Sequence, residues 1–210
     1  HNPWKPELED LEYLSKSMNS RQLKVHSHFS KIRDHYAFTM ADALFFPTEH
    51  SVEEYHRSWP GFAEIAKDKP IYFSLTGAQR KVSRIPRNIM REDLNIPSDA
   101  KVILYLGRFM PVRGYDIFVD AAKSLLKRTE DVYFVVVGEQ QDQPSITHAN
   151  WIEIPFVENP EDYINFADAN VIASRYNYFD LSMIESLSIG TPLIASKTGG
   201  CKWLEGKSSG

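Results

Sequence analysis

The chain has 210 residues, 42% of them hydrophobic and 25% charged, enough for one large domain or two small ones with a proper core. No run approaches the roughly 18 apolar residues of a membrane span, no signal peptide is visible, and Cys201 is the only cysteine. A membrane span, a disulfide framework and a cysteine metal cluster are therefore unsupported, and the reducing cytoplasm is the default compartment. The net charge of -4 argues against a general nucleic-acid binder. The charge is uneven: residues 75–114 hold Arg80, Lys81, Arg84, Arg87, Arg91, Lys101, Arg108 and Arg113 against Glu92, Asp93 and Asp99, whereas residues 131–170 hold acids and no Lys or Arg. An anion site should draw its cations from the earlier block, and a small phosphorylated ligand fits this better than a polyanion, although a solvated surface gives the same asymmetry.

In chain order, His1-Asn2-Pro3-Trp4 opens without the first strand an α/β domain needs, so a fragment is expected. Leu8, Leu11, Leu14 and Met18 give one helical stripe and Phe29, Ile32 and Tyr36 a second, before a strand over 43–46. His26, His28 and His35 lack acidic or cysteine partners at metal-site spacing and read as surface or helix-packing histidines. Residues 51–59 read as a short helix capped by Ser51, with Glu54 completing the box, and 70–74 as a strand. Residues 76–97 show no clean period, carry Gly77, Pro86 and Pro97, and read as an interdomain connection. The basic stretch 80–91 is expected to be a charged linker, with contact to an anionic membrane or acceptor as the alternative.

A cleaner unit begins at Lys101. The near-continuous apolar run 102–106 is the signature of a strand covered on both faces. Tyr115, Phe118, Val119, Ala122, Leu125 and Leu126 recur at the spacing of a helix face, 132–137 is the next buried strand and 151–154 a shorter one. Asn159, Pro160 and Asp162 read as cap, first-turn proline and capping acid of a helix through Phe166, and 171–173 resumes the sheet. Leu181, Ile184 and Leu187 then share one helical face, with Ser182 and Glu185 in capping-box form, and 193–195 reads as a short buried strand. The sum is a doubly wound α/β half with a parallel sheet.

Ligands of such sheets sit at the carboxyl ends of the strands, where helix N-termini favour phosphate. Arg108 and Arg113 flank one strand-to-helix loop and suit a diphosphate, while a solvated loop arginine is the plainer alternative. Glu185, one turn inside its helix, suits a ribose hydroxyl pair or merely caps its own helix. Neither G-x-G-x-x-G nor a P-loop is present, Asp180 and Glu185 do not face each other as a glycosidase pair, and no Ser-His-Asp set appears.

The segments LGRFMPVRGYDIFVDAAKSLL (106–126), VVVGE (135–139) and 167–200 together resemble the carboxyl-terminal, donor-binding domain of a retaining GT-B-type glycosyltransferase of family 4, the glycosyl transferases group 1. The resemblance runs from Lys101 to the end. It implies a Rossmann-type domain over 87–210, preceded over 1–86 by part of a second, acceptor-side α/β domain, with the chain truncated at both ends. It also implies transfer of a sugar from a nucleotide diphosphate sugar to a hydroxyl acceptor (a sugar, a lipid-linked sugar or a polysaccharide) with the anomeric configuration retained. No further cofactor, metal or nucleic acid is implied, and the expected setting is the cytoplasm or the inner face of the membrane, through a peripheral contact.

By this resemblance Arg108 and Arg113 grip the donor's diphosphate, Arg113 standing where a lysine is usual, and Glu185 holds the ribose as the second glutamate of the E-x7-E motif. The first glutamate falls at Asn177, which would contact the donor sugar. Gly107, Glu139, Phe179, Leu181 and Ser182 complete the donor site, and Pro155-Phe156-Val157 resembles the loop whose backbone receives the base, with Pro155 replacing a glycine. Asp180 replaces a glycine and sets a negative side chain beside the phosphates. His1 corresponds to an early histidine near the acceptor. An inactive nucleotide-sugar-binding remnant and a nucleotide-sugar epimerase are the rival readings.

Overall fold

The computed structural model describes residues 14, 15, 17–77, 79, 81–139 and 145–207. They form two compact units, one taking the described residues through Thr76 with 176–179 and those from Thr198 on, the other residues 77–175 and 180–197. His1 and the stripe residues Leu8 and Leu11 lie outside the described residues.

In the first unit, α1 (Ser20–Met40) begins at Asn19, whose side chain accepts bonds from Arg21 N and Gln22 N while Asn19 N donates to the Gln22 side chain. Phe29, Ile32 and Tyr36 do share this helix, yet each is more than half exposed. His35 packs edge-on against Trp59. Strands β1 (Leu44–Phe46) and β2 (Ile71–Phe73) pair in parallel, with α2 (Glu49–Ser58) and α3 (Phe62–Ala66) between them in sequence. Their core is Leu44, Phe46, Val52, Tyr55, Phe62 and Ala66. The cap of α2 is Thr48, not Ser51: Thr48 is extended and its Oγ1 accepts from Ser51 N at 3.2 Å. Ser51 instead donates its hydroxyl to Tyr178 O.

The second unit carries α4 (Arg87–Asp93), β3 (Lys101–Leu106), a 3-10 turn (Pro111–Arg113), α5 (Tyr115–Leu126), β4 (Val132–Val137), β5 (Trp151–Ile154), α6 (Pro160–Phe166), β6 (Ala169–Ile172), α7 (Leu181–Ile189) and β7 (Leu193–Ala195). The sheet is wholly parallel in the order β5-β4-β3-β6-β7. Alternate side chains of β3 and β4 enter opposite cores, which is why both strands read as unbroken apolar runs. Val102, Leu104, Val135 and Val137 pack with Met90, Ile164 and Phe166, while Tyr105, Phe134 and Val136 pack with Phe118 and Val119 of α5. Each fully buried side chain of this kind stabilises by roughly 1.5–3 kcal/mol relative to exposure.

Three further expectations need correction. Helix α4 lies within the stretch read as an aperiodic connection, and its Met90 belongs to the core. Strand β7 is the sheet's edge and is not buried: Ile194 is 56% exposed. Asn159 precedes α6 but makes no side-chain cap bond, and Asp162 accepts from Ser83 Oγ, Arg84 N and Ile85 N, anchoring the incoming segment instead. No helix among the described residues is long and apolar enough to cross a membrane.

Candidate active site

From β3 the chain winds outward through β4 and β5, then returns to β6 on the other side of β3. The loops leaving β3 and β6 diverge at the carboxyl edge, and such a switch point leaves a crevice. A cavity of about 290 Å³ lies there, lined by Gly107, Arg108, Arg113, Ser174, Asp180 and Ser182 among others. A larger cavity of about 440 Å³ in the first unit, beside His50, Phe73 and Trp203, contains none of the residues singled out from sequence. Both loop arginines and a helix start meet in the smaller one, which makes it the candidate site.

The loop bearing Arg108 and Arg113 is held from beneath. The Tyr105 hydroxyl donates to Arg108 O at 2.9 Å and to Arg113 O at 3.5 Å, and burial pushes this phenol upward so that it stays a donor. Arg175, after β6, donates its backbone N–H to Val112 O and its guanidinium to Pro111 O. The same guanidinium grips both Asp116 oxygens, at 2.6 and 2.7 Å, and holds that carboxyl below the usual range. Gly114 completes the fit. Its φ is +70°, and a Cβ there would sit 1.9 Å from Ala173 O, so only glycine lets the turn press against the exit of β6. Arg113 is thus presented by backbone contacts.

Helix α7 is seated by Met183, which is fully buried, by Asn170 Nδ2 donating to Ser186 Oγ, and by Thr191 Oγ1 donating to Ile164 O. Its cap is Asp180: Oδ1 accepts from Ser182 N at 3.1 Å and from Ser182 Oγ at 2.9 Å, while Oδ2 lies 3.3 Å from Arg113 Nη1. The capping-box reading of Ser182 and Glu185 is therefore corrected. The Glu185 carboxylate pairs with Lys81 Nζ at 3.3 Å, and Lys81 also lies 3.6 Å from the nearly buried Glu161. Sequence reasoning missed Lys81 as a partner of Glu185, since only its place in the basic block marked it. Tyr105 was likewise read only as a strand residue.

Glu139 follows β4 and is exposed, and Pro155 and Phe156 follow β5 and are exposed, Phe156 at 76%. They stand at the same carboxyl edge as Gly107 and Arg108. Leu181, half exposed, opens α7. Asn177 and Phe179 fall in the first unit. Asn177 is buried, its Nδ2 donating to Cys201 Sγ at 2.9 Å, and the Phe179 ring packs edge-on to Trp203. Among the described residues no three His, Cys, Asp or Glu side chains converge as a metal site.

Fold and site together define an α/β protein of GT-B type, with a Rossmann-like sheet and a basic crevice at its switch point. The chain belongs to the family described as glycosyl transferases group 1, which matches residues 86–207, more than half its length. It is 28% identical over 137 residues to mannosylfructose-phosphate synthase of Agrobacterium fabrum, covering 57% of this chain and 30% of that protein. With alpha-D-kanosaminyltransferase of Streptomyces kanamyceticus it shares 22% identity over 207 residues, covering 92% and 52%. Among solved structures, sucrose-phosphate synthase from Thermosynechococcus elongatus superposes with a TM-score of 0.64 at 24% identity, covering 81% of this chain and 44% of that one. Anabaena Alr3699/HepE in complex with UDP-glucose gives 0.60 at 18%, covering 78% and 47%. The chain thus spans about a third to a half of the length of these relatives.

Proposed function

We propose that the second unit is the donor site of a retaining glycosyltransferase, which moves a sugar from a nucleotide diphosphate sugar to a hydroxyl acceptor. The observation that carries this reading is the meeting of Arg108, Arg113 and the start of α7 in one cavity at the switch point. Family membership and the likeness to a HepE structure holding UDP-glucose support the choice of donor. As the glycosidic bond breaks, negative charge develops on the leaving diphosphate. Two guanidinium groups meet it more strongly than they meet the bound donor, and that difference lowers the barrier. The anomeric carbon forms its new bond to the acceptor oxygen as its bond to the diphosphate oxygen breaks, and the acceptor's hydroxyl proton passes to the departing diphosphate. No covalent enzyme intermediate is invoked.

Glu185, steadied by Lys81, holds the ribose hydroxyls in this reading. Glu185→Gln is expected to weaken binding of UDP, ADP or GDP by about tenfold, the loss of a charge-assisted hydrogen bond. Binding of the matching 2′,3′-dideoxy nucleotide should stay unchanged. Calorimetric titration of both ligands checks this, and equal losses for the two would remove Glu185 from the ribose.

A binding-only protein is the second reading, favoured by Asn177, which is not an acid and whose amide is engaged with Cys201. Incubation with a radiolabelled nucleotide sugar, with and without hydroxyl acceptors, separates the two. A glycosylated product of retained configuration supports transfer, and unaltered donor that co-elutes with the protein supports binding only.

A further inference from the structure

Among the described residues Asp180 is the one acid lining the cavity, and its carboxylate holds the donors an anionic ligand would use. One oxygen faces Arg113 Nη1 at 3.3 Å, and the other takes the Ser182 amide and hydroxyl at 3.1 and 2.9 Å. The pair is half-shielded, with side-chain exposures of 32% for Arg113 and 16% for Asp180, so salt screens it weakly. A phosphate entering here either shares Arg113 with the carboxylate or moves it aside.

We infer that Asp180 is an internal competitor for the diphosphate site that discriminates between ligands by charge, weakening the hold on free nucleoside diphosphate more than on its sugar ester. The inference rests on the donor-site reading above. In the sugar ester the terminal phosphate is a diester with a single negative charge. In the nucleoside diphosphate it is a monoester whose second ionisation falls at about pH 6, so at neutral pH it carries almost a full extra charge. Repulsion from a carboxylate in contact with Arg113 grows with that charge. Asp180 therefore favours the donor on entry and the departure of the nucleoside diphosphate after transfer. The same residue caps α7, which explains how a residue unfavourable to binding also serves the fold.

The test is Asp180→Asn in the whole 210-residue chain, since asparagine caps a helix as well as aspartate does. Asp180→Ser serves as a second cap-preserving variant. Calorimetry with UDP, ADP and GDP, with their glucose esters and with the uncharged nucleosides, gives dissociation constants for each protein. The expected result is nucleoside diphosphate binding tightened by about tenfold, the size of a removed neighbouring like charge. The glucose ester should tighten less and the nucleoside not at all. Equal tightening of all three ligands, no change, or weaker diphosphate binding in both variants overturns the inference while leaving the donor site standing. Failure of the parent chain and both variants to bind any diphosphate overturns the donor-site reading, and the inference falls with it.

Discussion

Arg113→Ala is expected to weaken nucleoside diphosphate binding by roughly 1–3 kcal/mol, between about fivefold and a hundredfold, as loss of a charged hydrogen bond does. The backbone contacts that present Arg113, from Tyr105, Gly114 and the Arg175 strand exit, do not involve its guanidinium, so the loop should keep its shape. The effect should be accentuated because Asp180 loses the cation facing it and keeps its own charge beside the incoming phosphates. Combining Arg113→Ala with Asp180→Asn should therefore recover part of the loss, and the two substitutions should not be additive, since their side chains are in contact. Arg113→Lys should fall between, retaining charge without the planar fork. Titration calorimetry reads the parent, the three single variants and the double, and an unchanged dissociation constant in Arg113→Ala would remove that residue from the site.

Asp168→Ala should have the largest effect on stability and little on binding. This carboxylate precedes β6 and accepts from Val102 N, Arg87 and Arg91, each at 2.7 or 2.8 Å, at the end of β3 and β6 opposite the cavity. Arg91 is 5% exposed and also bonds to the Pro97, Ser98 and Ala100 carbonyls. Removing Asp168 leaves a buried guanidinium without its counter-charge, which destabilises by about 3 kcal/mol. Burial works to raise the Asp168 carboxyl, but the Val102 N–H and the two arginines outweigh it and hold it below its ordinary value. With the folded value depressed, its contribution is complete above the ordinary aspartate range and lost as pH falls through the folded value. Urea unfolding at neutral and acidic pH should show Asp168→Asn less stable at neutral pH and less sensitive to acid than the parent. Parallel curves would contradict this.

The parts legible in sequence were those whose signal is local. β3 and β4 are unbroken apolar runs because both faces are covered, and α5 shows a full helical stripe because one face of it meets the sheet. The loop arginines stood out because Gly107 and Gly114 bracket them between a clear strand and a clear helix. What failed depends on contacts far apart in the chain. Helix α4 has Pro86 at its cap and no capping side chain, and it is fixed by Met90 in the core and by the bonds of Arg91 to Asp168 and the 97–100 segment. The caps of α2 and α7 were misplaced because each start offers several candidate side chains within three residues, and only the extended residue with a donor above it does the capping. The Lys81–Glu185 pair and the bond of Asn177 to Cys201 have no local trace at all.

The most direct measurement is a crystal structure of the chain with a nucleoside diphosphate bound. The diphosphate is expected in the cavity between the carboxyl ends of β3 and β6, with phosphate oxygens within hydrogen-bond reach of Arg108 and Arg113 and the ribose hydroxyls on Glu185. A nucleotide seated elsewhere, or one held there with neither arginine touching a phosphate, would contradict it.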